Sequence, residues 1–358
     1  MSQEKFKIRR WLVPLSVLYG AVTSYRNKRY DTGACDTYKA PVPVISIGNI
    51  TAGGTGKTPH TEYLIRLLGK RYRLAVLSRG YRRRTKGYLQ ADAASSATDI
   101  GDEPYQMHAK FPETVIAVCE RRADGIQRLL RDVNPEVIVL DDAFQHRAVT
   151  PSLNILLVNW NRNIMEDRLL PAGLLREDVE GRRRADIIIV TKCPDDIGSA
   201  HMEKTAEELR TSPGQMVFFS TMTYGDLIPM VPAIGPRSIA SIQRDTFIII
   251  ATGIASPAPI AGMLSSYTTH IEQIRFADHH NFTPGDIDEI SNVLRRSQSS
   301  DAMIVVTEKD AARLSGMEIA EEIRRRIYIL PISVNFIGDG KEFDDAVLRH
   351  IGQFRHRI

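Results

Sequence analysis

One stretch, GNITAGGTGKTPH from Gly48 to His60, constrains this chain more than any other. It follows an apolar run, VPVISIG from Val42, and leads into a helical pattern, TPHTEYLIRLLGKR from Thr58. Strand, glycine-rich turn, lysine, hydroxyl and helix is the order a phosphate-binding loop needs. Gly53, Gly54 and Gly56 let backbone N–H groups turn around phosphate oxygens, and the helix start adds its dipole. Lys57 is placed to reach β- and γ-phosphates, and Thr58 to bind Mg²⁺. Pro59 falls early in the helix, where its missing N–H costs nothing. The expected nucleotide-binding segment is Thr51, Ala52, Gly53, Gly54, Thr55, Gly56, Lys57 and Thr58. The usual G-x-x-x-x-G-K-[ST] pattern asks for glycine at 51, where Thr51 stands. That glycine lies farthest from the phosphates, so its loss weakens the pattern and leaves the mechanism intact.

The remaining apolar runs alternate with helical patterns. RLAVLS, ETVIAVC, EVIVLDD, LNILLVN and ADIIIVTK read as strands that are apolar throughout. Such strands argue for a parallel sheet covered by helices on both faces. From about Gln215 to Arg244 the pattern changes to extended strands rich in Pro and Gly; then α/β alternation resumes. The expected fold is α/β: an N-terminal helix (1–30), a P-loop NTPase-like core domain (31–214), an extended β linker (215–244) and a smaller C-terminal α/β domain (245–358). A chain of 358 residues suits two domains. Cys35, Cys119 and Cys193 show neither metal spacing nor a disulfide framework, which fits a reducing compartment.

The N-terminal run Trp11 to Val22 is flanked by cations and too short to span a bilayer. Trp11, Leu12, Leu15, Leu18, Tyr19 and Val22 fall on one helical face; Ser16, Gly20 and Thr23 fall on another. Two readings stand open: an amphipathic helix in a membrane interface, and a helix packed on the protein's own core. Arg79, Arg82, Arg83, Arg84 and Lys86, with Arg182 to Arg184, form basic clusters on a chain of net charge +4. They are a solvated surface or serve an anionic substrate or membrane.

Further motifs carry chemistry. EVIVLDDAFQHR ends an apolar strand in Asp141 and Asp142, placed to hold Mg²⁺ directly or through water. GDEP supplies Asp102 and Glu103, readable as a general base or as an acidic helix start. Asp278, His279 and His280 suggest proton transfer, or plain surface histidines. Thr191-Lys192 with Asp195, and Lys309-Asp310, loosely resemble a guanine-reading motif, which admits a P-loop GTPase or a MinD-type regulatory ATPase.

In combination these segments resemble the tetraacyldisaccharide 4′-kinase family of lipid A (lipopolysaccharide) biosynthesis. The resemblance rests on LVPLSVLYGAVTSYRN, GNITAGGTGKTP, LSRGYRRR, GDEP, CERRADG, LDDAFQH, LLPAGLLRE, VTKC, TGIASP, FADHHNF and TEKDA. It implies a P-loop core joined to a smaller domain by a β-ribbon. It implies ATP- and Mg²⁺-dependent phosphorylation of the 4′-hydroxyl of a membrane-held tetraacyldisaccharide 1-phosphate. Lys57 and Thr58 then serve the phosphates, and Thr58, Asp141 and Asp142 the metal. Asp102 and His279, on different domains, are implied to activate the hydroxyl, with domain closure excluding water. Arg82, Arg122, Gln145, His146, Arg176 and Glu177 are implied contacts to the sugar, its 1-phosphate or the nucleotide. The acylated substrate cannot leave the bilayer cheaply, which favours the interfacial helix and a peripheral, monotopic place on the cytoplasmic face of the inner membrane. No nucleic acid and no obligate protein partner are expected. The chain departs from the family pattern at Ala143, where glycine is usual, and at Ala255-Ser256-Pro257, where ANP is usual.

Overall fold

The structure is a computed structural model that describes residues 8–254, 257–278, 280–338 and 340–355. The chain forms two compact units, one built from residues up to Met222 and again from Val334, the other from Thr223 to Ser333. Strands of the first unit, in chain order, are β1 (Val44–Asn49), β2 (Leu74–Ser78), β3 (Leu89–Gln90), β4 (Val115–Val118), β5 (Val137–Asp141), β6 (Leu153–Asn159), β7 (Ile187–Thr191) and β8 (Met216–Tyr224). Then come β9 (Ile228–Pro229), β10 (Ile248–Thr252), β11 (Ile271–Arg275), β12 (Met303–Thr307), β13 (Ile327–Leu330) and β14 (Ile332–Phe336). The helices are α1 (Val13–Asp31), α2 (Lys57–Leu68), α3 (Ala97–Ile100), α4 (Asp102–Lys110), α5 (Arg122–Asp132), α6 (Ser199–Leu209), α7 (Ala258–Leu264), α8 (Pro284–Ser297), α9 (Glu308–Leu314), α10 (Glu321–Arg324) and α11 (Gly340–Arg355).

The large sheet has the order β14-β8-β7-β6-β1-β5-β2-β4-β3. β1 pairs in parallel with β5 on one side and β6 on the other. It therefore stands where the winding reverses, and in open α/β sheets the crevice beyond such a strand's carboxyl end is where ligands bind. Every residue of β1, β2, β5 and β7 is buried. Successive side chains serve opposite faces: Val76 packs with α2, α4 and α11 residues such as Leu64, Met107 and Phe343, while Leu77 packs with Ile126 and Leu129 of α5. This is the two-faced parallel sheet that uniformly apolar strands require.

The second unit has its own sheet, β11-β10-β12-β13-β9, parallel except for β9. Apolar clusters line both faces; α8 supplies Ile287, Ile290 and Val293 to one of them. Pro284 sits in the first turn of α8, and Thr283 and Asp286 form a capping box.

One boundary differs from the sequence reading, which assigned 245–358 to a single C-terminal domain. The segment from Val334 belongs to the first unit. Phe336 and Phe343 stack at 4.4 Å, Tyr63 of α2 meets both rings edge-on, and its hydroxyl donates to Asp344 at 2.9 Å. The segment expected as an extended β linker, 215–244, holds β8 and β9. β8 is a strand of the large sheet, and its neighbour β14 brings the chain back.

α1 carries an unusual pair of faces. Trp11 (79% exposed), Leu15, Val17, Leu18, Val22 and Tyr25 face outward. The small, polar side holds the buried Ser16 and Gly20. Leu12 and Tyr19, expected with the apolar face, turn inward instead: Leu12 is buried and the Tyr19 hydroxyl donates to the Arg176 carbonyl at 2.7 Å. No described helix is long and apolar enough to cross a membrane.

Candidate active site

The phosphate loop leaves the carboxyl end of β1 and is pinned before it turns. Thr51 forms an antiparallel bridge with Leu175, and the Ala52 N–H donates to the Leu174 carbonyl at 2.7 Å. Thr51 is not among the residues with positive φ, so position 51 has no conformational need for glycine. The turn itself falls on Gly53 (φ 103°) and Gly56 (φ 82°). Asn49 Nδ2 donates to Thr55 Oγ1 at 2.7 Å, and Thr191 Oγ1 donates to the Thr55 carbonyl at 2.9 Å. α2 starts at Lys57, with Thr58 buried in its first turn. His60, one turn on, is fully enclosed between the Gly56 carbonyl and Ser220 Oγ. Burial pushes its pKa down to about 4, so it is neutral at physiological pH.

The two carboxylates ending β5 differ in kind. Asp141 is buried; its Oδ1 accepts from Thr61 Oγ1 at 3.1 Å and its Oδ2 from Ser78 Oγ at 3.0 Å. Burial, then Asp142 and Glu103, raise its pKa. Asp142 sits at φ 46°, a left-handed conformation that costs a non-glycine residue energy and is typical of strain held at a working site. That turn aims its carboxylate at Lys57 Nζ (3.6 Å) and Arg176 (3.2 Å). Burial opposes its ionisation, but Lys57 and Arg176 outweigh burial and lower its pKa.

Several other sequence-predicted residues converge here. Arg122 is 2% exposed and donates to the Cys119 and Asp141 carbonyls at 2.6 and 3.2 Å. Two of its donors are thus committed to holding the strand end, a supporting role the sequence did not disclose. Burial lowers its pKa to about 10, against the pull of Asp141 and Asp142. His146 is held neutral, with a pKa of about 4, by burial and by Arg122 and Arg79. Gln145 Nε2 donates to the Asn49 carbonyl at 2.7 Å and to Glu177 at 2.9 Å. Glu177 is buried and also accepts from Arg184. Asp102 opens α4 directly after Gly101, whose backbone packs on Gly80: a Cβ at 101 would lie 3.2 Å from Gly80 Cα. The basic turn that carries Arg79 and Arg82 is thereby fixed beside Asp102. Arg82 is exposed at φ 60° and lies over the Tyr81 ring.

The sequence reading took one cation, Lys192, for part of a guanine-reading motif. Lys192 follows β7 at φ 59°, and its Nζ is 3.7 Å from where a Gly54 Cβ would stand. Arg162 NH1 donates to the Ala52 carbonyl at 3.2 Å nearby. The signal was present as VTKC, a lysine at the end of a parallel strand. Only the strand order reveals that β7 ends next to the loop. Asp195, its suspected base-reading partner, accepts from Thr221 Oγ1 at 2.9 Å.

In the second unit His279 lies outside the described residues, as do Ala255 and Ser256. His280 Nε2 lies 2.8 Å from Asp286 Oδ2 of the α8 capping box, and its ring stacks on Phe276. Asp310 is fully buried, accepting from the Gly253 N–H and the Thr307 hydroxyl beside Arg313. It lies in the first turn of α9, bonded to the N-cap Thr307.

The family model "LpxK: Tetraacyldisaccharide-1-P 4′-kinase" matches residues 8–352. The chain belongs to this family. It is 47% identical to the tetraacyldisaccharide 4′-kinase of Phocaeicola vulgatus over 346 residues, 96% of this chain and 94% of that one. It is 45% identical to that of Parabacteroides distasonis over 357 residues, 98% and 97% of the two chains. The crystal structure of LpxK from Aquifex aeolicus in complex with ATP is 29% identical, with a TM-score of 0.74 over 96% of this chain and 99% of that one. A MinD-type regulatory ATPase is not favoured, since the kinase family accounts for the chain nearly end to end. The kinase-family departure at Ala143 needs no special backbone. Ala143 is absent from the residues with positive φ, and the strain falls on Asp142.

Proposed function

We propose that the protein transfers the γ-phosphate of ATP to the 4′-hydroxyl of an acylated disaccharide 1-phosphate, giving the 1,4′-bisphosphate. The observation that carries this reading is the approach of Lys57, at the start of α2, to Asp142, just past β5, 3.6 Å apart. A lysine of a phosphate loop opposite a strand-end carboxylate is the arrangement for positioning and neutralising a transferred phosphoryl group. Lys57 contacts the transferred phosphate, and Arg176 holds Asp142 in place. Asp102, at the start of α4, accepts the proton of the attacking hydroxyl. His279 is proposed to share in that proton transfer. Arg82, Gln145, His146 and Glu177 shape the sugar and phosphate side of the site.

Mg²⁺ fits the residues present. Thr58, Asp141 and Asp142 offer only oxygen donors, and Asp141, Asp142 and Glu103 crowd negative charge together, which a divalent cation would offset. Asp142 is the better candidate for direct contact, because its carboxylate is partly open whereas that of Asp141 is buried. Among the described residues no three His, Cys, Asp or Glu side chains form a metal cage, which suits an ion that takes other ligands from phosphates and water. Held by Thr58, Asp141 and Asp142, Mg²⁺ would supply positive charge to offset the charge that develops in phosphoryl transfer.

The outward apolar face of α1 supports peripheral attachment to the cytoplasmic face of the inner membrane, where the acylated substrate resides. Among the described residues, seven of the ten exposed large apolar side chains lie between Trp11 and Tyr25, a concentration that a purely solvated surface does not need. The test of function is label transfer from γ-labelled ATP to tetraacyldisaccharide 1-phosphate in mixed micelles, beside a lipid-free control. Label in the lipid with little free phosphate in the control is the expected result. Equal phosphate release with and without lipid, and an unlabelled lipid, would overturn the proposal.

A further inference from the structure

The inner face of α1 is wired into the active site by two chains of hydrogen bonds. In the first, Asn27 Nδ2 donates to Glu177 Oε2 at 3.0 Å. Glu177 Oε1 accepts from Gln145 Nε2, which also donates to the Asn49 carbonyl, and the Asn49 side chain donates to Thr55 of the phosphate loop. In the second, the Tyr19 hydroxyl donates to the Arg176 carbonyl, and the Arg176 guanidinium holds Asp142, which faces Lys57. Arg26 NH2 adds a bond to the Gln145 carbonyl at 2.9 Å. Ser16 fastens the start of the helix by donating to the Leu169 carbonyl and accepting from the Ala172 N–H, both at 2.9 Å.

This pattern does not suit a helix that merely anchors. An anchor needs its apolar face and any fastening to the body. Here the polar side of α1 ends on the segments that aim Arg176, Glu177 and Gln145. Glu177 is a buried carboxylate, and each donor aimed at it fixes its orientation. Functional groups held by such supporting bonds lose their geometry when the support is cut.

We propose that Tyr19 and Asn27 are positioning residues for phosphoryl transfer, so that α1 is a working wall of the active site as well as a membrane-facing element. The proposal rests on the kinase reading and is independent of membrane attachment.

The test uses the full-length protein with Tyr19→Phe, Asn27→Ala and the double substitution. Turnover is measured in mixed micelles, KM for ATP and for tetraacyldisaccharide 1-phosphate separately, and partitioning onto vesicles of anionic phospholipid by co-sedimentation. For the double variant kcat falls roughly 10-fold, in line with a small misplacement of reacting groups. Vesicle partitioning stays near wild type. Asn27→Gln, which keeps the amide donor, recovers most of the Asn27→Ala loss. Unchanged kcat would overturn the proposal. So would a fall in kcat that tracks a fall in vesicle binding, or one matched by a collapse of the melting temperature in Tyr19→Phe, which removes a single oxygen. If wild-type protein fails to bind vesicles while the kcat effect stands, the membrane reading fails and this one survives. If wild type transfers no phosphate, the kinase reading itself fails.

Discussion

Asp142 and Asp310 stand at comparable places in the two units, each just past the end of a parallel strand, and their surroundings separate them. Asp310 is closed in by its own helix and its neighbours. Thr307 and the Gly253 N–H donate to it, Arg313 lies beside it, and no part of it meets solvent. Asp142 is strained at φ 46° and partly open, and its partners are Lys57 of the phosphate loop and Arg176. A carboxylate whose partners are caps stabilises a fold. One whose partners are the cations of a phosphate loop is held ready for a ligand. Residue type and strand context look alike in the two places; the partners differ.

The largest effect should come from the loop side of that contrast. Lys57→Ala is expected to lower kcat about 1,000-fold, the scale of removing a main electrostatic contact to the transferred group, with a near-normal melting temperature. Steady-state transfer and a thermal melt check it together. On the other side, Asp310→Ala should destabilise by about 2 kcal/mol, because it removes the buried acceptor of the Gly253 N–H and the Thr307 hydroxyl, and this is read by urea unfolding of the second unit. Little loss of stability there would remove the contrast.

A third prediction sharpens the difference within the strand-end pair. Burial raises the pKa of Asp141, so the native protein holds its proton to higher pH than the unfolded chain does. Stability contributed by that group therefore falls as pH rises from the ordinary carboxylate range through the raised value. Asp141→Asn should raise the melting temperature at neutral pH, with the gain vanishing in acid, while transfer is lost. His60 works in the opposite direction. Its pKa is lowered to about 4, so its stabilising effect is complete above the usual histidine range and is lost as pH falls towards 4. His60→Gln should flatten the first unit's stability profile across that window. The smallest effect belongs to Thr51→Gly. Restoring the usual glycine should leave the KM for ATP close to wild type and cost about 1 kcal/mol in backbone entropy.

These contrasts mark where the sequence sufficed. Uniformly apolar strands, the glycine-rich turn and the paired Asp141-Asp142 were legible because each is a local signal. The return of Val334 to Arg355 to the first unit was not, since β14 meets β8 through a pairing more than a hundred residues apart and no local pattern announces it. Helical periodicity put Leu12 and Tyr19 on the apolar face of α1. The inward turn of Tyr19 goes with its bond to the Arg176 carbonyl, a distant contact that periodicity cannot supply. Lys192 was read as part of a base-reading motif because its left-handed backbone and the neighbouring loop appear only with the sheet order.

The most direct test of the central claim sets wild type, Asp142→Asn and Asp310→Ala side by side. Lipid-dependent γ-phosphate transfer is measured for each, normalised to the folded fraction. Asp142→Asn should lose transfer about 100-fold and keep its stability, while Asp310→Ala should keep its turnover per folded molecule. The reverse result, with Asp142→Asn active and Asp310→Ala folded but inactive, would contradict the account.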